Sequence, residues 1–203
     1  MKSKIWVFVI AGFILTLSGC GTRIVEDGQS GIKADFGKIQ DQALSTGIHF
    51  YCPIISWIEV WNTKTQEIKE TANVPSSEGL ISSLDISVLF NVPKETVVTV
   101  RKTIGRAYVE VVLEPYIREA IRNVVSGYEV KALFSDQRRQ EIGQKILDFL
   151  RVKMEPRGIK IQDVLMRDVR LPEIFAESIQ IKLKTEQEAL QKEFELQKAK
   201  KDA

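Results

Sequence analysis

The chain has 203 residues, of which 44% are apolar and 28% charged, and its formal net charge is +2. Acids and bases are interspersed, which excludes the one-signed surface a nucleic-acid binder needs. With an N-terminal leader and a polar tail set aside, about 150 residues remain, enough for one domain with a real core.

Lys2 and Lys4 precede an apolar run from Ile5 to Leu17, and Ser18 and Gly19 stand before Cys20. This order of charge, apolar stretch and small residues reads as a secretory signal peptide over residues 1–19. The run is short of the ~20 residues a spanning helix requires. Leu17-Ser18-Gly19-Cys20 resembles a bacterial lipobox. That resemblance implies diacylation of Cys20, cleavage before it and acylation of the new amine, hence a lipoprotein held on the extracytoplasmic face of a bacterial membrane, inner or outer. Each buried methylene of an acyl chain contributes about 0.8 kcal/mol, so two or more chains hold a protein there for long times. Lipidation leaves Cys52 as the remaining cysteine, so no intramolecular disulfide is expected and stability rests on packing. Residues 20–28 read as a lipidated tether, with Gly21, Asp27 and Gly28 as breakers around Ile24 and Val25.

Residues 29–171 carry the domain pattern. Ile32, Ala34 and Phe36 alternate with Lys33 and Asp35, the period of a half-buried strand over 29–39. After a turn at Gly47, residues 48–53 lead into an extended segment marked by Ile55, Trp57 and either Glu59 or Val60, with Pro53 at a strand start or edge. Residues 63–71 are polar and predict an edge strand protected by Lys64 and Lys69, and 73–79 predict a loop. Leu84, Ile86, Val88, Phe90 and Val92 alternate with Asp85, Ser87, Leu89 and Asn91, which predicts a strand ending at Pro93. Residues 94–104 and 106–113 have helical spacing despite many β-branched side chains.

Two helices then organise the chain. Pro115 suits a first helical turn, Ile117, Ile121, Val124 and Val125 form its apolar stripe, and Gly127 stops it. Ser135 is positioned to cap the second helix through its hydroxyl, Asp136 complements the dipole, and Ile142, Ile146, Phe149 and Leu150 form the stripe. Ile117, Ile121, Ile142 and Ile146 are the predicted core. Pro156-Arg157-Gly158 turns the chain into a strand begun by Ile159 and Ile161, and the apolar phase slips near Asp163 to Val164 and Met166, as a bulge would make it. Pro172 opens a helix without further breakers over 172–203. Ile179 with Leu190, and Leu183 with Phe194, repeat at eleven residues, a spacing that favours straight or slightly right-handed helix packing.

Three stretches carry a family resemblance. Residues 47–53 match a G-x-H-F-x-x-P turn, residues 115–122 read P-x-I-x-x-A-I-R, and residues 158–172 run as a final strand into Leu171-Pro172. Together they resemble the SPFH (Band 7) family of stomatins, prohibitins and flotillins, with the prohibitin branch nearest, over roughly 31–187. The resemblance implies an α+β fold, a small mostly antiparallel sheet packed with helices and followed by a long C-terminal coiled-coil-like helix. It also implies a homo-oligomeric ring or cage that organises membrane patches and controls membrane proteins such as proteases. Two departures stand out: a lipobox in place of the usual transmembrane anchor, and a short tail.

Catalytic chemistry finds no footing. His49 and Cys52 have the spacing of two metal ligands, but no other Cys or His completes a closed site. A nucleophile would need His49 as its base, there is no G-x-S-x-G, and neither nucleotide loop occurs, so no enzyme activity and no cofactor are expected. The clustered aromatics admit two readings: a core that takes Phe50 and Trp57 as inward-facing residues, and a functional one in which Tyr51 or Trp61 meets the membrane at headgroup level. Ile179, Leu183, Leu190 and Phe194 are the expected oligomerisation residues. Arg118, Arg122, Arg138 and Arg139 form a basic group, expected to be solvated, with pairing to a neighbour's Glu110 or Glu114 as its functional alternative. The rival reading is a monomeric exported lipoprotein that binds a soluble ligand or assists an enzyme.

Overall fold

The computed structural model describes residues 21–170 together with 181, 184, 185, 187–192 and 194. Cys20, Ile179, Leu183 and the signal-peptide residues therefore lie outside the described residues. Strands β1 (Gly21–Val25) and β4 (Gly47–Tyr51) pair antiparallel as a ribbon. Strand β2 (Gln29–Asp35) lies between β3 (Lys38–Ile39) and β5 (Ser56–Asn62). A third sheet has the order β6 (Gln66–Pro75), β7 (Ile81–Asn91), β8 (Lys160–Arg170), all antiparallel.

Three expectations change here. Residues 21–25, read as tether, are a strand, because pairing with β4 satisfies the backbone groups that breakers were expected to leave in water. Phe36 is not a strand residue facing inward. It has φ of 50°, forms the β2–β3 turn with Gly37 and is 81% exposed. Residues 73–75, read as loop, continue β6 because Asn73, Val74 and Pro75 pair with Ser83, Ser82 and Ile81.

The third sheet buries one face under helices. Leu84, Ile86, Val88, Phe90 and Val92 of β7 and its exit are all buried, as their alternation predicts. Helix α1 (Val97–Thr103) follows, then a π-helical turn (Val109–Leu113) that runs directly into α2 (Glu114–Val125), so Pro115 sits in a helix already under way. Helix α3 spans Asp136–Met154. Ile117, Ile121, Ile142 and Ile146 have no exposed surface and lie in the core as predicted, with Val125 and Leu150, while Val124 and Phe149 of the predicted stripes are half-buried against it. Ser135 is the N-cap of α3, yet its hydroxyl caps nothing; its carbonyl accepts from the Arg139 backbone N–H at 2.9 Å.

Strand β8 has two register shifts, the first beside Asp163 as the phase slip predicts, the second beside Asp168. At each, the aspartate carboxylate accepts from the next backbone N–H, Val164 at 2.8 Å and Val169 at 2.9 Å. Arg151 of α3 donates to the Ile161 and Gln162 carbonyls, both at 3.2 Å. These side chains occupy groups that an unguarded edge would offer to another strand.

Candidate functional site

The first two sheets come together at one end. The Phe36 N–H donates to the Ile55 carbonyl at 2.7 Å, which sets the β2–β3 turn against the β4–β5 turn. That second turn is closed by the Ile55 and Ser56 N–H groups donating to the Cys52 carbonyl. Gly21 pairs with Tyr51, and a Cβ on Gly21 would stand 2.8 Å from the Tyr51 ring and 3.1 Å from Pro53. The residue after Cys20 thus lies beside the same two turns.

Polar bonds hold this end in shape. The Ser56 hydroxyl donates to Asp35 at 2.7 Å, Gln40 donates to its other carboxylate oxygen, and Lys33 lies 3.3 Å away. The Ser56 hydrogen bond, with help from Lys33 and Gln40, keeps the Asp35 carboxyl below the usual carboxylate range. The base of the Phe36 turn is therefore tied to the start of β5.

What this end presents is apolar. Ile54 is 88% exposed, Phe50 68%, and Ile55, Ile24 and Ile48 are exposed as well. Thr22 faces Phe50 and Ile24 faces Ile48 across the β1–β4 ribbon, so Phe50, Ile24 and Ile48 share one face that leads back from the tip. Contiguous apolar surface of this kind marks a binding surface, since fully burying each Ile or Phe is worth roughly 1.5–3 kcal/mol. Phe36 sharpens the point. A two-residue turn with positive φ at both positions prefers Asn-Gly, and Phe in that conformation costs about 1–2 kcal/mol while its side chain stays largely in solvent.

The expected membrane aromatics are rearranged. Trp61 is 7% exposed and stacks on Tyr108 with ring centroids 5.3 Å apart, so it belongs to the core and not to a membrane contact. The reason is register: Trp61 pairs with buried Ser30, on the face of β5 that meets α1 and the third sheet. Tyr51 is half-buried beside Gly21, at the base of the tip. Phe50, expected inside, faces outward, and Trp57 is half-buried beneath two arginines. Sequence reasoning missed Phe36 and Ile54; the cue was Gly37 directly after Phe36, the signature of a tight turn.

Other candidates are dispersed. His49 Nε2 lies 2.7 Å from the Ser45 carbonyl, and among the described residues no three His, Cys, Asp or Glu side chains are grouped as metal ligands would be. Arg118 pairs with Glu70 and Glu114 of its own chain, Arg138 with Glu141, and Arg139 donates to the Leu133 carbonyl. In the tail, Leu190 and Phe194 are helical and exposed. Among the described residues no helix is long and apolar enough to cross a membrane.

Comparison with known proteins gives a consistent likeness. A family model described as SPFH domain / Band 7 family matches residues 23–203. The chain is 24% identical over 195 residues to prohibitin-7, mitochondrial, of Arabidopsis thaliana, covering 96% of this chain and 69% of the relative. Prohibitin-1 of Saccharomyces cerevisiae is 23% identical over 179 residues, covering 88% and 62%. Prohibitin-2 of Mus musculus is 20% identical over 172 residues, covering 82% and 55%.

Proposed function

Because the chain belongs to the SPFH domain / Band 7 family, we propose that it is a membrane-anchored, prohibitin-like scaffold that works as a homo-oligomer and not as an enzyme. Lipid on Cys20 tethers it at the extracytoplasmic face of a bacterial membrane, and the apolar tip seats the domain against that bilayer. The observation that carries this reading is the position of Phe36, Ile54 and Phe50, exposed together beside the residue that follows Cys20. The acyl chains on Cys20 hold the chain at the surface, and apolar side chains buried beside them add to that hold and set the domain's orientation.

The tail supplies assembly in this reading. Ile179, Leu183, Leu190 and Phe194 of one copy pack against the next, and confinement to a surface raises the effective concentration of copies. The assembled array organises a membrane patch and controls membrane proteins, proteases among them. The test is sedimentation of the detergent-solubilised chain together with mass spectrometry of its N-terminal peptide. An oligomer with acylated Cys20, weakened by Leu190→Asp and Phe194→Asp, supports the scaffold. A monomer would leave the ligand-binding lipoprotein in its place, and an unmodified N-terminus at Met1 recovered from membranes would remove the anchor.

A further inference from the structure

Directly behind the tip lies a basic cluster that the scaffold reading does not use. Trp57 on β5 stands opposite Ala34, two register positions from the Phe36 turn. The Arg101 guanidinium of α1 is 5.8 Å from the Trp57 ring centroid, and that of Arg106, in the loop after α1, is 6.0 Å away. Both arginines share a single carboxylate: Arg101 Nε lies 3.0 Å from one Glu59 oxygen, and Arg106 Nε 2.8 Å from the other. Lys102 adjoins them and pairs with Asp41.

The two arginines have different standing. Arg101 and Glu59 are largely enclosed, with side chains 22% and 14% exposed, and they join α1 to β5. Arg106 is 66% exposed, so its pairing with a carboxylate already held by Arg101 adds little to stability. Two cations on one anion leave a net positive charge, carried on the side chain that reaches solvent. A guanidinium presents a planar fork of donors that matches a phosphate bidentately, and Trp favours the headgroup level of a bilayer. Position agrees with chemistry. Two strand residues span roughly 7 Å, so a tip sunk to acyl-chain depth brings Trp57 and Arg106 to the phosphates.

We propose that Trp57, Arg101 and Arg106 form a binding site for the phosphodiester headgroup of an anionic phospholipid, which fixes the rotational setting of the domain on the membrane. The inference rests on the membrane-docked reading, and its failure is separable from the failure of that reading.

The experiment uses the full lipid-anchored chain in phosphatidylcholine vesicles and reads Trp fluorescence. Brominated acyl chains, which quench nearby Trp, are introduced on a minor component that is either phosphatidylglycerol or phosphatidylcholine. A Trp57→Phe variant identifies the signal of Trp57. Brominated phosphatidylglycerol should quench Trp57 about fivefold more effectively than brominated phosphatidylcholine, the enrichment expected of one basic residue at an anionic surface. Arg106→Gln should bring the two lipids level, while Arg106→Lys retains a preference. Arg101 still holds Glu59 in both variants, and equal melting of the two separates charge from folding. Equal quenching by the two lipids in the unaltered chain, or a preference unchanged in Arg106→Gln, overturns the headgroup site and leaves membrane docking standing. Absence of quenching by either lipid overturns docking and this site with it.

Discussion

The β1–β4 ribbon and the β6–β7–β8 sheet are both antiparallel, yet they treat their outer faces in opposite ways. On the larger sheet the outer face is largely polar: Glu67, Lys69, Thr71 and Asp85 lie there beside Leu89 and Leu165, with Ser87 donating to Glu67 and Thr71 to Asp85, each at 2.7 Å. On the ribbon the outer face carries Ile24, Ile48 and Phe50, and the turns beside it add Phe36, Ile54 and Ile55. The outer face of one is largely closed by polar side chains, and that of the other stays apolar. The protein's stability resides in the first and its surface chemistry in the second.

The largest test of that division is truncation. Ile121→Ala or Ile142→Ala should cost about 2–5 kcal/mol, read by chemical denaturation, because both side chains are fully enclosed between α2, α3 and the sheet. Ile54→Ala should change stability by no more than about 0.5 kcal/mol. Comparable losses at the two sites would erase the distinction.

How much of it was legible follows from what alternation encodes. A period of two reports that a strand is half-buried, and for β7 the apolar set was the buried set, so Leu84 through Val92 read correctly. In β4 the period is equally clear, but the apolar residues Ile48 and Phe50 are the outward set, and periodicity carries no sign. Trp61 and Phe50 exchanged places for that reason. The helices were legible because a stripe of Ile at helical spacing has a single polar alternative, and α2 and α3 bury the isoleucines expected of them, with Val124 and Phe149 at the stripes' half-buried margins. Gly28 is the breaker it was read as, at φ 78° in the turn after β1, but Gly21 pairs in β1 with a partner more than twenty positions away, beyond any local signal. The tail residues Leu190 and Phe194 were named from spacing and lie exposed on a helix, while Ile179 and Leu183 fall outside the described residues.

A second test uses backbone conformation. Gly158 has φ of 86° and ends the turn into β8, where an added Cβ would stand 2.8 Å from Thr96 Cβ. Gly158→Ala should therefore destabilise by more than about 1 kcal/mol in thermal melts. At the tip the sign reverses. Phe36→Asn places a residue suited to positive φ in the turn and should stabilise the domain by up to about 1 kcal/mol while weakening its hold on vesicles. A variant that loses stability would show that Phe36 serves the fold.

The smallest effect is electrostatic and belongs to the packed half. Arg138, then Tyr128 and Lys145, hold Glu141 down to about 2 from an ordinary 4.5. A carboxylate depressed in the folded state contributes stability above its unfolded pKa and loses it as pH falls through the folded one. Glu141→Gln should thus be the less stable chain at neutral pH, and the gap should close between 4.5 and about 2. A gap independent of pH across that window would remove the ion cluster as its cause.

The central claim is that the tip meets the bilayer, and depth measurement tests it most directly. In a Cys52→Ser background, a nitroxide is placed at Ile54→Cys or, on the exposed face of α3, at Val152→Cys, and the anchored chain is studied by electron paramagnetic resonance in vesicles. At residue 54 the label should collide readily with oxygen and be shielded from a water-soluble nickel chelate, while the label at residue 152 meets the chelate freely. Equal access of the chelate to both positions would contradict the account.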